Sequence, residues 1–252
     1  SAAGFASVNL GFSKLNINAG VRYQRDALDV VYNVGNIPGR TGMSNLSYDN
    51  FYPAVNLRYA LNERSNLRLA ARKTLTLPEF KEVAPFEYVS QTGQVTRGNP
   101  DLQASTNYNL DLKYEFFPSG GELLSLTGFY KRIEEPIKKV QDRGSAGIFS
   151  FFNAGEQAEI YGLELETRLE VIKMENGAAY DFNFGFNASR MWHSQDLKEL
   201  RNENGQLLRT FRYKGLTETG LQGASDWIFN GSLNLVVGTK NPFMASLVAN
   251  YA

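Results

Sequence analysis

Alternation of apolar and polar residues, sustained for about a dozen positions at a time, constrains this chain more than any other feature. Between Ser105 and Phe117, Tyr108, Leu110, Leu112, Tyr114 and Phe116 share one parity, and Asn109, Asp111, Lys113 and Glu115 share the other. Successive side chains of a strand point to opposite faces, so this segment has one greasy face and one charged face. Pro118–Gly121 makes a tight turn. Glu122–Ile133 then returns with Leu124, Leu126, Gly128 and Tyr130 against Ser125, Thr127, Phe129 and Lys131. Strands of soluble sheets usually run about five or six residues, half the length of these arms.

The pattern recurs along the chain. Before this hairpin come Gly4–Phe12, Leu15–Arg25, Phe51–Leu61 and Asn66–Leu75; after it come Ala158–Glu170, Ala178–Trp192, Ser225–Gly238 and Phe243–Tyr251. Short turns at Ser13-Lys14, Asn62–Ser65, Val171–Gly177 and Thr239–Pro242 alternate with long polar stretches, about Asp26–Asn50, Thr76–Ala104, Glu134–Gln157 and His193–Gly223. Compact soluble domains rarely use structureless loops beyond about 12–15 residues. About ten strands in five hairpins, with every long loop at one end, describe an all-β, antiparallel, up-and-down transmembrane β-barrel of the outer-membrane type. A tilted membrane strand needs about 9–11 residues, as here. Lipid cannot hydrogen-bond a backbone, so the complete sheet must close.

The aromatics supply a separate argument. Thirteen Tyr and seventeen Phe are many for 252 residues. On the apolar parity, Phe12, Tyr59, Phe116, Tyr180 and Phe243 lie near short turns. Tyr23, Phe51, Tyr108, Tyr130, Tyr161, Trp192, Trp227 and Tyr251 lie near long loops. Two belts of amphipathic rings at two membrane–water boundaries read this way. Alternation alone also suits a soluble up-and-down barrel with its apolar face inward. Such a barrel has short loops and no aromatic bias at its strand ends.

Composition closes off several function classes. The formal net charge is zero, which gives no footing for nucleic acid. There is no Cys and one His, so thiolate and imidazole centres have no ligands, and a Ser/His or Asp/His enzyme has little to build on. No catalytic residue, cofactor or metal is expected. No apolar run reaches the length of a membrane helix.

Several segments resemble the barrel domain of TonB-dependent outer-membrane receptors, especially the Bacteroidetes-type branch. Arg72-Lys73-Thr74-Leu75-Thr76-Leu77-Pro78-Glu79-Phe80 looks like the segment where that family has an Arg and then an acidic-aromatic step; Leu77-Pro78 stands where Arg-Pro is usual. Gly98-Asn99-Pro100-Asp101-Leu102 is similar to its Gly-Asn-Pro-x-Leu loop. Phe129-Tyr130-Lys131-Arg132-Ile133 resembles its Phe-Tyr-Lys-x-Ile strand end. Asn153-Ala154-Gly155, followed by Gly162-Leu163-Glu164-Leu165-Glu166, resembles its Asn-x-Gly and Gly-x-Glu-x segment. The resemblance implies a plugged barrel of about 22 strands. It also implies energised import of a siderophore, glycan or peptide across the bacterial outer membrane. The partners it implies are outer-membrane lipid, TonB acting through an N-terminal segment absent here, and in one branch a surface lipoprotein. Residues 1–252 are then one portion of a single barrel domain, with the plug and the terminal strands outside the chain. In such an arc the strand near Ser7 and the strand near Val248 do not pair. The alternative is a receptor-like barrel serving as a structural or assembly subunit of a larger outer-membrane complex.

Charges on the polar parity cost about 2–4 kcal/mol each for Arg or Lys if they face hydrocarbon, so they are expected to line the lumen. The candidates are Arg58, Arg68, Arg72, Asp111, Lys113, Glu164, Glu166 and Arg168. Each could touch plug or cargo, or form a solvated, ion-paired wall. The paired carboxylates Glu164 and Glu166 carry the same choice. Phe80, Phe86, Tyr88, Phe149, Phe151 and Phe152 are candidate ligand-loop residues, which could stack on cargo or pack the loops together. His193 reads as a surface histidine and Lys138-Lys139 as solvated.

Overall fold

The structure, a computed structural model, describes residues 1–33, 41–141, 147–173, 179–239 and 241–252. In chain order the elements are β1 (Ala2–Gly11), β2 (Leu15–Asn33), β3 (Thr41–Asn62), β4 (Ser65–Thr76), α1 (Phe80–Val83), β5 (Glu87–Val89), β6 (Val95–Arg97), β7 (Ser105–Phe116) and β8 (Leu123–Glu134). Then come β9 (Ile137–Gln141), β10 (Phe149–Asn153), β11 (Gln157–Ile172), β12 (Tyr180–Asp196), β13 (Glu199–Arg201), β14 (Leu207–Thr210), β15 (Glu218–Thr219), β16 (Trp227–Val237) and β17 (Phe243–Tyr251). The main sheet is antiparallel and runs β1-β2-β3-β4-β7-β8-β11-β12-β16-β17, with β15 added beside the end of β12. Each expected strand is present. Among the described residues β1 pairs only with β2, and β17 only with β16. The expected turn Val171–Gly177, the strand start at Ala178 and the turn Thr239–Pro242 fall partly outside the described residues.

Register preserves the two faces from strand to strand. Leu69 opposes Leu112, Leu112 opposes Gly128, and Gly128 opposes Leu163. One rung away on the other face, Arg68 opposes Lys113, Lys113 opposes Thr127, and Thr127 opposes Glu164. A slip of one residue would exchange the faces, so this pattern fixes the pairing. On β7, β8 and β11 the apolar face is the exposed one: Leu112 is 49% exposed, Leu126 50% and Leu163 50%. Glu115, Ser125 and Ser189 on the polar face are buried. A soluble barrel with its apolar face inward would show the reverse. No helix among the described residues is long and apolar enough to cross a membrane, which leaves crossing by strands untouched.

The long stretches are not structureless loops, and this corrects the sequence reading. Asp26–Asn50 continues the β2–β3 hairpin, with Asp26 opposite Tyr48 and Asn33 opposite Thr41. Its Gly- and Asn-rich composition hid an alternation that persists through Leu28, Val30, Leu46 and Tyr48. Thr76–Ala104 holds α1, β5 and β6; Glu134–Gln157 holds β9 and β10; His193–Gly223 holds the end of β12, the β13–β14 hairpin and β15. β5-β6-β10-β9 form a second sheet in which β6 and β10 run parallel, so two successive long stretches are joined by backbone hydrogen bonds. These extra strands are two to five residues long and carry little period-two signal.

Candidate functional site: the polar wall and the loop collar

Parity and register bring all eight charged candidates to one face of β3, β4, β7 and β11. Arg68 Nε donates to Glu115 Oε2 at 2.7 Å, and Lys113 Nζ to Glu166 Oε2 at 3.0 Å. Arg168 Nε lies 3.4 Å from the other Glu166 oxygen, and Asn187 Nδ2 donates to Glu164 Oε1 at 2.5 Å. Glu164 and Glu166 therefore have separate partners and do not act as a carboxylate pair. Partly exposed ion pairs of this kind contribute about 0–1 kcal/mol each. Arg58 and Arg72 have no carboxylate partner among the described residues. Arg58, Arg68, Asp111, Lys113 and Glu164 line one cavity of about 610 Å³ on this face; Arg72, Glu166 and Arg168 lie outside its lining.

Above the wall, the long stretches interlock through side chains that the resemblance noted only as motifs. α1 is a single turn in which the Glu82 side chain reaches back to accept the Glu79 backbone amide at 2.8 Å. The carbonyl of Glu82 accepts the Asn99 amide at 2.6 Å. Such helix-end carbonyls need a partner from elsewhere in the chain. Asn99 Nδ2 donates to the Phe151 carbonyl at 2.9 Å, and Asn99 Oδ1 accepts from Asp101 N at 3.0 Å. Gly98 is required by space: a Cβ there would sit 2.0 Å from the Ala84 carbonyl oxygen. Asn153 repeats the device. Its Oδ1 accepts from Gln103 N at 2.9 Å, and its Nδ2 reaches the carbonyls of Gln103 at 3.0 Å and Glu135 at 2.7 Å. Asp196 accepts the backbone amides of Glu156 and Gln157 at 3.1 and 2.8 Å. A polar motif side chain that bonds two loop backbones leaves no trace in alternation, so sequence reasoning missed these roles.

The six loop aromatics separate. Phe86 packs on the cluster of Val30, Leu46, Val83 and Ala84. Phe152 lies under Arg209, 4.2 Å from its ring, and 5.4 Å from Phe211. Phe149 carries Lys139 at 5.2 Å. Phe151 shares β10 with these two, and Tyr88 lies on β5 of the same small sheet. Phe80, at the start of α1, is the most exposed of the six at 55%. Three of the six, Phe86, Phe149 and Phe152, pack within the collar.

Two minor expectations are corrected. The His193 side chain is nearly buried: Nδ1 accepts the Leu221 amide at 3.0 Å, and Nε2 lies 3.3 Å from Asp226. Lys138 is partly buried, and loss of solvent lowers its ammonium below the usual lysine range. Lys139 donates to Gln94 at 2.6 Å. Both sit in the small sheet that joins the loops.

A long-stranded antiparallel sheet, apolar outside and charged inside, with all its long connections at one end, defines the class as an outer-membrane β-barrel wall. A family model described as TonB dependent receptor-like, beta-barrel, matches residues 1–251, and the chain belongs to that family. This is a receptor and transport family, not an enzyme family. Solved structures agree on the fold. The Serratia marcescens hemophore receptor, solved as a double mutant with its hemophore and heme, is 14% identical, with a TM-score of 0.61 over 98% of this chain and 43% of that one. The ferric yersiniabactin uptake receptor of Yersinia pestis is 16% identical, with a TM-score of 0.60 over 98% and 33%. The siderophore receptor PirA of Pseudomonas aeruginosa is 16% identical, with a TM-score of 0.55 over 99% and 48%. The chain thus spans less than half the length of each.

Proposed function

We propose that residues 1–252 form part of the wall of a TonB-energised receptor in the bacterial outer membrane, a plugged barrel that imports a large nutrient. The plug, the TonB-reading segment and further strands belong to other parts of the same protein in this reading. The observation that carries it is the family match over residues 1–251, joined to a sheet with one apolar and one charged face, whose apolar side is the exposed one on β7, β8 and β11. The apolar face meets lipid, and the wall of Arg58, Arg68, Arg72, Asp111, Lys113, Glu164, Glu166 and Arg168 meets the lumen. Arg58 and Arg72, which have no carboxylate partner among the described residues, are the wall residues best placed to touch whatever fills it. Siderophores, glycans and peptides are the cargo classes considered. The siderophore and hemophore receptors among the structural neighbours favour an iron-carrying ligand.

Cells carrying the intact protein should lose uptake of a large nutrient when TonB is disabled; undiminished uptake refutes the reading. Within the collar, Phe80→Ala should weaken cargo binding while leaving assembly intact, because loops carry recognition on a scaffold that carries stability. Binding that survives removal of every long loop would show that the collar is not the recognition site.

A further inference from the structure

The outward face carries its own boundary marker. From the short turns upward, every outward residue of β2, β3, β4, β8, β11 and β12 is uncharged until a defined height. The first charges are then Arg25, Asp49, Lys73, Arg132, Glu159 and Arg190, four of them cations. Lys73 and Arg132 lie eight and nine residues from Ser65 and Leu123; Arg25 and Arg190 both lie ten residues from Leu15 and Tyr180. At about 3.3 Å per residue and a tilt near 40°, that is about 20–25 Å of height. The apolar band of a membrane barrel is about 25 Å tall. Outward aromatics gather at this level: Tyr23 and Phe51, two residues below Arg25 and Asp49, pack at 5.1 Å, and Tyr161, two residues below Glu159, stacks at 5.7 Å on Trp192, two residues beyond Arg190.

Three of the four cations have a nearby acid. Arg25 lies 3.9 Å from Asp49, Arg132 3.3 Å from Glu134, and Arg190 3.0 Å from Asp226. Lys73 has none among the described residues. It opposes Tyr108, which opposes Arg132 on the next strand, so the two cations flank one tyrosine on a single rung. Two strand spacings separate them by about 9–10 Å, a gap that two long side chains can close around one phosphate. Glu159 also opposes Arg132, but its Oε1 is engaged by the Tyr130 hydroxyl at 2.8 Å.

We propose that Lys73 and Arg132, on either side of Tyr108, bind the phosphate of an anionic lipid in the leaflet on the long-loop side. An unpaired ammonium at the edge of an uncharged band has phosphate headgroups as its neighbours, and each basic residue at a lipid surface gains about 1 kcal/mol from anionic lipid. The outward strand positions nearest the short turns carry no charge, so the selectivity belongs to one leaflet. The proposal rests on the outward face meeting lipid, which Phe184 and Asn183 test separately.

The experiment uses the full-length protein in mixed micelles of phosphatidylglycerol and phosphatidylcholine, with native mass spectrometry counting retained lipid. Phosphatidylglycerol should be retained in preference. Lys73→Gln and Arg132→Gln should each cut that preference about fivefold. Lys14→Gln, at a short turn, should leave it unchanged. Arg132→Lys keeps the charge and should keep the preference, which separates loss of the site from loss of folding. Equal retention of the two lipids overturns the proposal, as does a preference unaltered in the Lys73→Gln/Arg132→Gln double variant. Displacement of the lipid by millimolar inorganic phosphate also overturns it, since that marks a free-anion site.

Discussion

β2 and β3 pass through two regions that follow opposite rules. In the lower part, Leu15–Tyr23 against Phe51–Tyr59, the apolar residues point outward and the other face carries Asn16, Asn18, Asn56 and Arg58. In the upper part, Leu28, Val30, Leu46 and Tyr48 continue the parity of those polar residues but are packed, Val30 being 2% exposed against Val83 and Ala84. The backbone pairing does not change; what the inner face meets does. The wall needs a partner on its apolar side that the chain does not supply. The collar supplies its own, with Val83, Ala84 and Leu102 at zero exposure. The wall should therefore depend on the membrane, and the collar on side-chain fit and hydrogen bonds.

The sharpest break of that contrast is a charge on each face of β12. Phe184→Arg puts a guanidinium among outward apolar residues and should cost about 2–4 kcal/mol of folding in bilayers; Asn183→Arg, on the polar face, should cost much less. Equal costs in a lipid refolding titration would invalidate the assignment of faces. Spin labels at Phe184 should be relaxed by a lipid-soluble quencher rather than a water-soluble one.

Gly98→Ala tests the collar. The added Cβ would meet the Ala84 carbonyl oxygen at 2.0 Å and the Lys81 carbonyl oxygen at 2.9 Å, both backbone atoms with little freedom to move. Overpacking of this kind costs about 1–3 kcal/mol. Hydrogen exchange should quicken across Phe80–Leu102 while β7 and β8 stay protected. Loss of protection in both would mean that collar and wall form one cooperative unit.

Legibility in the sequence divides along the same line. The wall could be read because lipid on one side and water on the other impose a period-two pattern on every strand, and Leu110–Phe116 states it without interruption. The charged candidates followed from parity alone. The collar could not be read this way. β6 and β10 pair in parallel across a gap of about fifty residues, and α1 is one turn long. Asn99, Asn153 and Asp196 bond to backbone atoms whose positions no local pattern encodes. Phe86 and Phe152 were visible as aromatics, but whether they face cargo or one another depends on contacts between distant loops.

A smaller effect is expected at Asn153. Asn153→Ala removes three hydrogen bonds joining Gln103 and Glu135 to β10 and should cost about 1–2 kcal/mol locally. Exchange of the Gln103 amide reports it. Protection equal to wild type would show that the β6–β10 pairing suffices without this staple.

The smallest effect lies where wall and collar meet. Arg190 stands between the two tryptophans of the chain, 5.1 Å from the rings of both Trp192 and Trp227, and is held by Asp226. The hydrogen bond from Arg190, its charge and the nearby His193 keep the Asp226 carboxyl below its ordinary value of 3.8. A carboxylate whose folded value is depressed contributes stability that is present above its unfolded value. That contribution is lost as the pH falls through the folded one. The Arg190 sandwich should therefore be flat with respect to this group through the neutral range and loosen only in acid below about pH 4. The 5-fluorotryptophan resonances of Trp192 and Trp227, assigned by single Trp→Phe variants, should shift together in that window. In Asp226→Asn the acid transition should vanish, with both resonances already near their low-pH positions. A transition that persists in Asp226→Asn would assign the acid response to another group and remove Asp226 as the anchor of Arg190.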